Sequence, residues 1–317
     1  MKPIPLNLQT LYADLAQRIS YDMPRPATIS RRLEMGQRRL YATTLDKQQV
    51  YLGTAGDPVA EAKAAAHKRA ASDAKLTRKT VSILKRAGIA APDLTTGKLL
   101  AVLSAAGLFE RGVTLIGTIA YQLYPCVIGA NLPAATMQTQ DADLAVAKLV
   151  VPRLAGFGAL EKILRRADPT FEAVMARDDR WPKRFRSANG FEIDILATFG
   201  RSTGPTAIQG LQCAATPLPF MEFLLEDTID VVALYGAGAL VRVPDPARYA
   251  VHKLIVAQQR SNHSRKAEKD LWQAHELIAI LKATDLESLD DALSNARSRG
   301  PQWRKAVDAS LRDIHNR

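Results

Sequence analysis

Apolar positions recur at three- and four-residue spacing in Leu8, Leu11, Tyr12, Leu15 and Ile19, which predicts an amphipathic helix over residues 5–21. Met23-Pro24-Arg25-Pro26 ends it and reads as a hinge, because proline lacks the backbone donor that a continuing helix needs. Two runs rich in Tyr, Thr, Val and Leu, RRLYATTL and QQVYLGT, flank Asp46-Lys47 and predict a β-hairpin with Tyr41 and Tyr51 on its paired strands. From Pro58 to Ala87 an alanine-rich stretch predicts one long helix, and Leu94 to Gly107 a second. The pattern then changes to short apolar runs divided by Gly and Pro: GVTLIG, DADLAVA, TFEAVMA, FEIDILATF, DVVALYG and ALVRV, all read as strands. Beyond Pro246 helical spacing returns in YAVHKLIVAQQR, KAEKDLWQAHELIAIL and the segments 286–297 and 303–314.

This order predicts an α+β protein with a mixed-sheet core, a hairpin and long helix before it, and a C-terminal helical bundle beside it. The expected division is 1–104, 105–244 and 245–317, with no internal repeat. At 317 residues, 47% hydrophobic and 24% charged, the chain is neither fibrous nor disordered. Its two cysteines, Cys126 and Cys213, have no CxxC spacing, which excludes a disulfide framework, argues against zinc and fits a cytoplasmic location. No signal-peptide pattern opens the chain, and the uncharged stretch from Arg111 to Asp141 is interrupted too often by Pro, Gly, Asn and Gln to span a bilayer.

Charge changes the picture. Lys and Arg number 43 against 32 Asp and Glu, a net of +11, and residues 1–100 carry +9 of it. A balance this basic points to a polyanionic partner, nucleic acid first. The long helix alone carries Lys63, Lys68, Arg69, Lys75, Arg78, Lys79, Lys85 and Arg86, either as phosphate contacts or as a solvated face.

The candidate chemistry lies further on. A strand delivers Gly117-Thr118 into a helix, which offers backbone N–H groups and a hydroxyl to a polyphosphate. Asp141 and Asp143 alternate with Ala142 and Leu144, so both carboxylates leave one face of a strand, where they repel unless a cation compensates them. Hard oxygen ligands at this spacing suit Mg²⁺, with Mn²⁺ as the alternative, bound together with substrate phosphates. Asp194, between Ile193 and Ile195, supplies a third carboxylate, with Glu192 as its rival. Lys253 and Arg260, seven residues apart, share a helix face beside His252, and Lys266, Lys269 and Asp270 follow. Lys253 reads as a phosphate ligand; Lys269 and Asp270 read equally as site residues or as an intrahelical ion pair. Arg184 and Arg186 could face the nucleotide from a strand beside Asp194, while Trp181 reads as packing. His67, His263 and His275 assemble into no nucleophile-base arrangement.

The order of strand, Gly-Thr turn, helix, Asp-x-Asp strand and later single-Asp strand resembles the nucleotidyltransferase superfamily that includes DNA polymerase beta. GVTLIGTIAYQLY, the Thr139-x-Asp141-x-Asp143 run and YAVHKLIVAQQR…KAEKDL are similar to a bacterial nucleotidyltransferase-fold family related to abortive-infection type toxins. The resemblance implies a nucleotidyltransferase-like fold in which Gly117, Thr118, Lys253 and Lys269 hold nucleotide phosphates and Asp141, Asp143 and Asp194 ligate Mg²⁺ and act catalytically. One departure is the 23 residues between Gly117 and Asp141, more than the superfamily's short form has.

The expected reaction is Mg²⁺-dependent transfer of a nucleoside monophosphate from an NTP to a hydroxyl, with release of pyrophosphate. The basic N-terminal region favours RNA, tRNA included, as acceptor. The alternatives are an inactive nucleotidyltransferase-fold protein that binds nucleic acid or a partner, or transfer to a protein side chain. Either fits a toxin-antitoxin or phage-defence pair with a cognate antitoxin.

Overall fold

The computed structural model describes residues 2–19, 27–44, 49–133, 139–175, 177, 179–198, 204–260 and 264–315. The hinge prolines, Asp46-Lys47 and His263 lie outside them.

The chain opens with α1 (Leu6–Arg18) and three antiparallel strands, β1 (Ala27–Glu34), β2 (Gln37–Thr44) and β3 (Gln49–Thr54). The predicted hairpin is thus the β2–β3 half of a larger sheet. Strand β1 escaped the pattern because Arg31, Arg32 and Leu33 in its second half are all exposed, which breaks the alternation. Met35 and Gly36, both at positive φ, make the tight β1–β2 turn. Helix α2 (Pro58–Arg86) starts at a proline behind an Asp57 cap that accepts from the Val59 amide. Its first half packs Ala60 and Ala64 against Leu40, Ala42 and Leu52 of the sheet. Its last turns, through Val81 and Leu84, join α1 in a separate apolar cluster with Val232, Leu234 and Leu240.

Next come α3 (Leu94–Ala105), β4 (Thr114–Ile116), α4 (Gly117–Leu123), α5 (Pro125–Ile128), β5 (Asp141–Val146), α6 (Leu160–Leu164), β6 (Glu172–Val174), β7 (Arg184–Arg186), β8 (Glu192–Thr198), β9 (Thr206–Ile208) and β10 (Cys213–Leu218). Strands β4 to β10 form a seven-stranded mixed sheet, ordered β4-β5-β8-β10-β9, with β7 pairing β6 and the first half of β8. Strand β5 runs parallel to β8 and antiparallel to β4. After α7 (Met221–Glu226), β11 (Thr228–Ala233) and β12 (Ala239–Pro244) pair with each other as a separate two-stranded sheet, so the predicted strands DVVALYG and ALVRV lie outside the main sheet among the described residues.

Four helices close the chain: α8 (Pro246–Gln259), α9 (Arg265–Thr284), α10 (Leu286–Ser298) and α11 (Pro301–His315). Helix α8 is buried on most sides, and the large core extends from the sheet through it into α9, α10 and α11. The observed class is the predicted α+β arrangement, a mixed sheet with a C-terminal set of helices. No helix among the described residues is long and apolar enough to cross a membrane.

Candidate active site

The site begins with alternation. Ala142 and Leu144 of β5, and Ile193 and Ile195 of β8, drive into the core, so Asp141, Asp143, Glu192 and Asp194 come out on the opposite face. The parallel register sets Asp141 beside Glu192 and Asp143 beside Asp194. Four carboxylates therefore form a two-by-two array on neighbouring strands.

On the other flank of β5, Ile116 of β4 pairs with Asp143 and passes directly into α4 at Gly117. Gly117 has φ +70°, and a Cβ added there would lie 2.3 Å from Oδ2 of Asp143. Only glycine both adopts this backbone and leaves room for the carboxylate. The turn is held by α8, whose Tyr249 hydroxyl donates to the Gly117 carbonyl at 3.0 Å. Tyr249 packs against Tyr124 and Tyr121 with ring centroids 5.3 and 6.0 Å away, and Tyr124 donates to the Pro244 carbonyl at 2.9 Å. Sequence reasoning gave Tyr249 no role, although it stands one helical turn ahead of Lys253 and so shares its face.

Charge at Asp143 is poorly compensated. Its carboxyl is pushed up to about 6, first by burial and then by the charges of Asp141 and Asp194, against which Lys253 and Lys266 pull down. Asp141 is exposed and accepts a hydrogen bond from the Thr139 hydroxyl. Asp194 is engaged differently: Arg184 of β7, its cross-strand neighbour, donates Nε to Oδ1 at 2.6 Å and Nη2 to Oδ2 at 2.9 Å. Arg184 also reaches Glu192 at 3.1 Å, and Arg186 pairs with Glu192 as well. The strand beside Asp194 is present, and its arginines bind carboxylates.

Across the cleft, Lys253 is buried on α8 and its Nζ lies 2.6 Å from Oδ1 of Asp270. Arg260, at the end of the same helix, reaches Oδ2 of Asp270 at 2.7 Å. Asp270, itself buried on α9, thus joins two helices rather than pairing within one. Lys269 is partly buried; burial, followed by Lys253, lowers its ammonium pKa, while Asp141 acts in the opposite direction. His252 is buried, held neutral by burial with its pKa lowered to about 3, and its Nε2 has no hydrogen-bond partner among the described residues. Trp181 is partly buried ahead of β7, His67 lies on α2, and His275 is exposed on α9.

Between these walls lies a cavity of about 300 Å³. Gly117, Asp143, Tyr249, His252, Lys253 and Arg260 supply its polar rim, and Leu218, Phe220, Met221, Leu224 and Val256 contribute apolar surface. A void that pairs an apolar wall with cations and a carboxylate suits a ligand that has both a charged and an apolar part. Among the described residues no group of three or more His, Cys, Asp or Glu side chains is arranged to hold a metal ion. The donors that suit a hard divalent cation are Asp141 and Asp143, the latter raised in pKa by burial and then by its acidic neighbours; Mg²⁺ takes few protein ligands and keeps water and phosphate for the rest.

A search of curated proteins finds no match. Among solved structures, an antigenic nucleotidyltransferase-like protein from Paracoccidioides brasiliensis aligns over 68% of this chain and 92% of its own, at 16% identity and a TM-score of 0.34, too loose a likeness to carry an argument. The model of a family described as Nucleotidyltransferase matches residues 95–298, a stretch that holds the Gly117 turn, the paired aspartates and the α8–α9 cations. By that match, which covers well over half its length, this chain belongs to the nucleotidyltransferase family and is a nucleotidyltransferase.

Proposed function

We propose that the chain transfers a nucleoside monophosphate from an NTP to a hydroxyl of RNA, with the cavity beside Asp143 as the NTP site. The observation that carries this reading is Asp143, one corner of the carboxylate array of β5 and β8, which shares one cavity with Lys253 and Arg260 and has Gly117 against it. Gly117, Thr118, Lys253 and Lys269 hold the triphosphate. Asp270 positions Lys253 and Arg260, so that two cations are fixed before substrate arrives. Asp141 and Asp143 hold Mg²⁺, which when bound neutralises phosphate charge. Asp194, the third carboxylate of the site, helps to hold the same cation and accepts the proton of the attacking hydroxyl. The hydroxyl oxygen bonds to the α-phosphorus, the bond from that phosphorus to the bridging oxygen breaks, and pyrophosphate leaves. The net charge of +9 in residues 1–100 supports a polyanionic acceptor over a small molecule.

The test offers each NTP, labelled at either the α- or the γ-phosphate, with Mg²⁺ and RNA, protein or small hydroxyl acceptors. The α-label should move to RNA and the γ-label to pyrophosphate. A γ-label on the acceptor would make the protein a kinase instead. The Arg184–Asp194 pair favours one second reading, an inactive nucleotide-binding protein, which would retain NTP without releasing pyrophosphate.

A further inference from the structure

We propose that the open face of the β1–β3 sheet is a docking platform for single-stranded RNA, with Tyr41 and Tyr51 as stacking rings and Arg32 and Arg39 as phosphate contacts. The inference rests on the RNA-acceptor reading and names where that acceptor is held, on a different sheet from the one that carries the carboxylates.

Helix α2 covers one face of the sheet through Leu40, Ala42 and Leu52. Gly53, on β3, permits this close approach, since a Cβ there would lie 2.6 Å from that of Ala60. By alternation Tyr41 and Tyr51 stand on the other face, where they oppose each other in the ladder with ring centroids 5.4 Å apart. Tyr51 is 51% exposed. The Arg32 guanidinium lies 5.3 Å from the Tyr41 ring and that of Arg39 5.8 Å from the Tyr51 ring, so each aromatic surface carries a cation beside it. Glu34 fixes the arrangement by accepting from the Tyr41 hydroxyl at 2.7 Å and from Arg39 at 3.4 Å.

The charge around this face selects the occupant. On this face Arg32 and Arg39 stand against Glu34, and the region that carries it, residues 27–86, holds 13 Lys and Arg against five Asp and Glu, eight of the basic residues lying on α2 behind the sheet. Paired aromatic rings with flanking arginines offer unpaired bases a stacking surface and their backbone a counter-charge, whereas a duplex hides its base faces and needs the cations alone. The sheet sits at Ala60 and Ala64 of α2, and the helix joins the rest of the protein at Val81 and Leu84. At 1.5 Å per residue this separates platform and anchor by about 30 Å, a reach suited to a macromolecule.

The experiment uses the full-length protein, a fluorescent single-stranded 20-mer RNA of mixed sequence, and anisotropy titrations across salt without NTP. The double change Tyr41→Leu and Tyr51→Leu is expected to weaken binding about tenfold or more while preserving the salt slope, and the Phe pair is expected to bind as the parent does. Arg32→Gln with Arg39→Gln should flatten the slope by about 1.4, or roughly 0.7 per lost contact. Parent-like binding by the Leu pair, or duplex DNA competing as well as the single strand, would overturn the proposal. Photocrosslinking of 5-bromouridine RNA to the unmodified protein gives a result independent of variant folding. Crosslinks are expected within residues 27–54, and crosslinks confined elsewhere contradict the platform. RNA bound here without label transfer would defeat the transferase reading alone; label transfer to limiting RNA undiminished in the Leu pair would defeat the platform alone.

Discussion

At the scale of single residues, the site concentrates groups whose ordinary state the fold disfavours. Asp143 is crowded by Asp141 and Asp194 and partly withdrawn from water, so its ionised form is costly until positive charge arrives. Gly117 is confined by the same carboxylate, and its need for positive φ is a local property, legible in the sequence as a glycine between strand and helix. His252 is less visible in sequence, because nothing local shows that α8 buries it. Its neutral form is retained in the fold by burial and by Lys253 and Arg260, with Asp270 opposing them. The unfolded chain takes up a proton below about pH 6.5, which the folded chain refuses down to about pH 3, so this group contributes stability that is complete above pH 6.5 and is lost as pH falls through that window. Chemical denaturation of the parent and of His252→Gln at pH 7 and pH 4 should show the parent losing about 3 kcal/mol more than the variant. An equal loss in both would show that His252 does not titrate between the two states.

At the scale of elements, strand register decides what the carboxylates meet. The Asp-x-Asp alternation and the single Asp of β8 were readable because a strand's period places side chains on faces without knowledge of neighbours. Whether Asp143 would stand beside Asp194, and whether β7 would bring Arg184 onto that carboxylate, depends on pairings between segments far apart in the chain. The same holds for Asp270, which an intrahelical reading pairs with near neighbours and the α8–α9 packing joins to Lys253 and Arg260. Strands β9 and β10, too short or too small-sided to stand out, also went unread. The register carries a prediction. Arg184 is 43% exposed and competes with any cation for Asp194, in a pair worth about 1 kcal/mol. Arg184→Gln should tighten Mn²⁺ binding about fivefold, measured by electron paramagnetic resonance of free Mn²⁺ in the absence of nucleotide. Unchanged affinity would place Asp194 outside the cation site.

At the scale of the whole molecule, two chemistries occupy separate places. A basic sheet rides on the far half of α2, and an acidic array lies against α8 and α9 in the mixed-sheet core. The charge asymmetry along the chain anticipated this separation, since composition registers where lysines and arginines accumulate; the third strand and the open tyrosine face emerge only from the fold. Helix α2 links them, and its last turns are buried with α1 against β11 and β12, so removal of residues 1–88 would uncover apolar surface as well as discard charge. Point changes in the sheet are therefore the cleaner probe of acceptor binding. For the chemistry itself, the most direct measurement is the single-turnover rate of pyrophosphate release from NTP and RNA, in the parent and in Asp141→Asn combined with Asp143→Asn, at saturating Mg²⁺. The account predicts a fall of about a thousandfold in a variant that still folds and still binds RNA. A variant that releases pyrophosphate at the parent rate would contradict it.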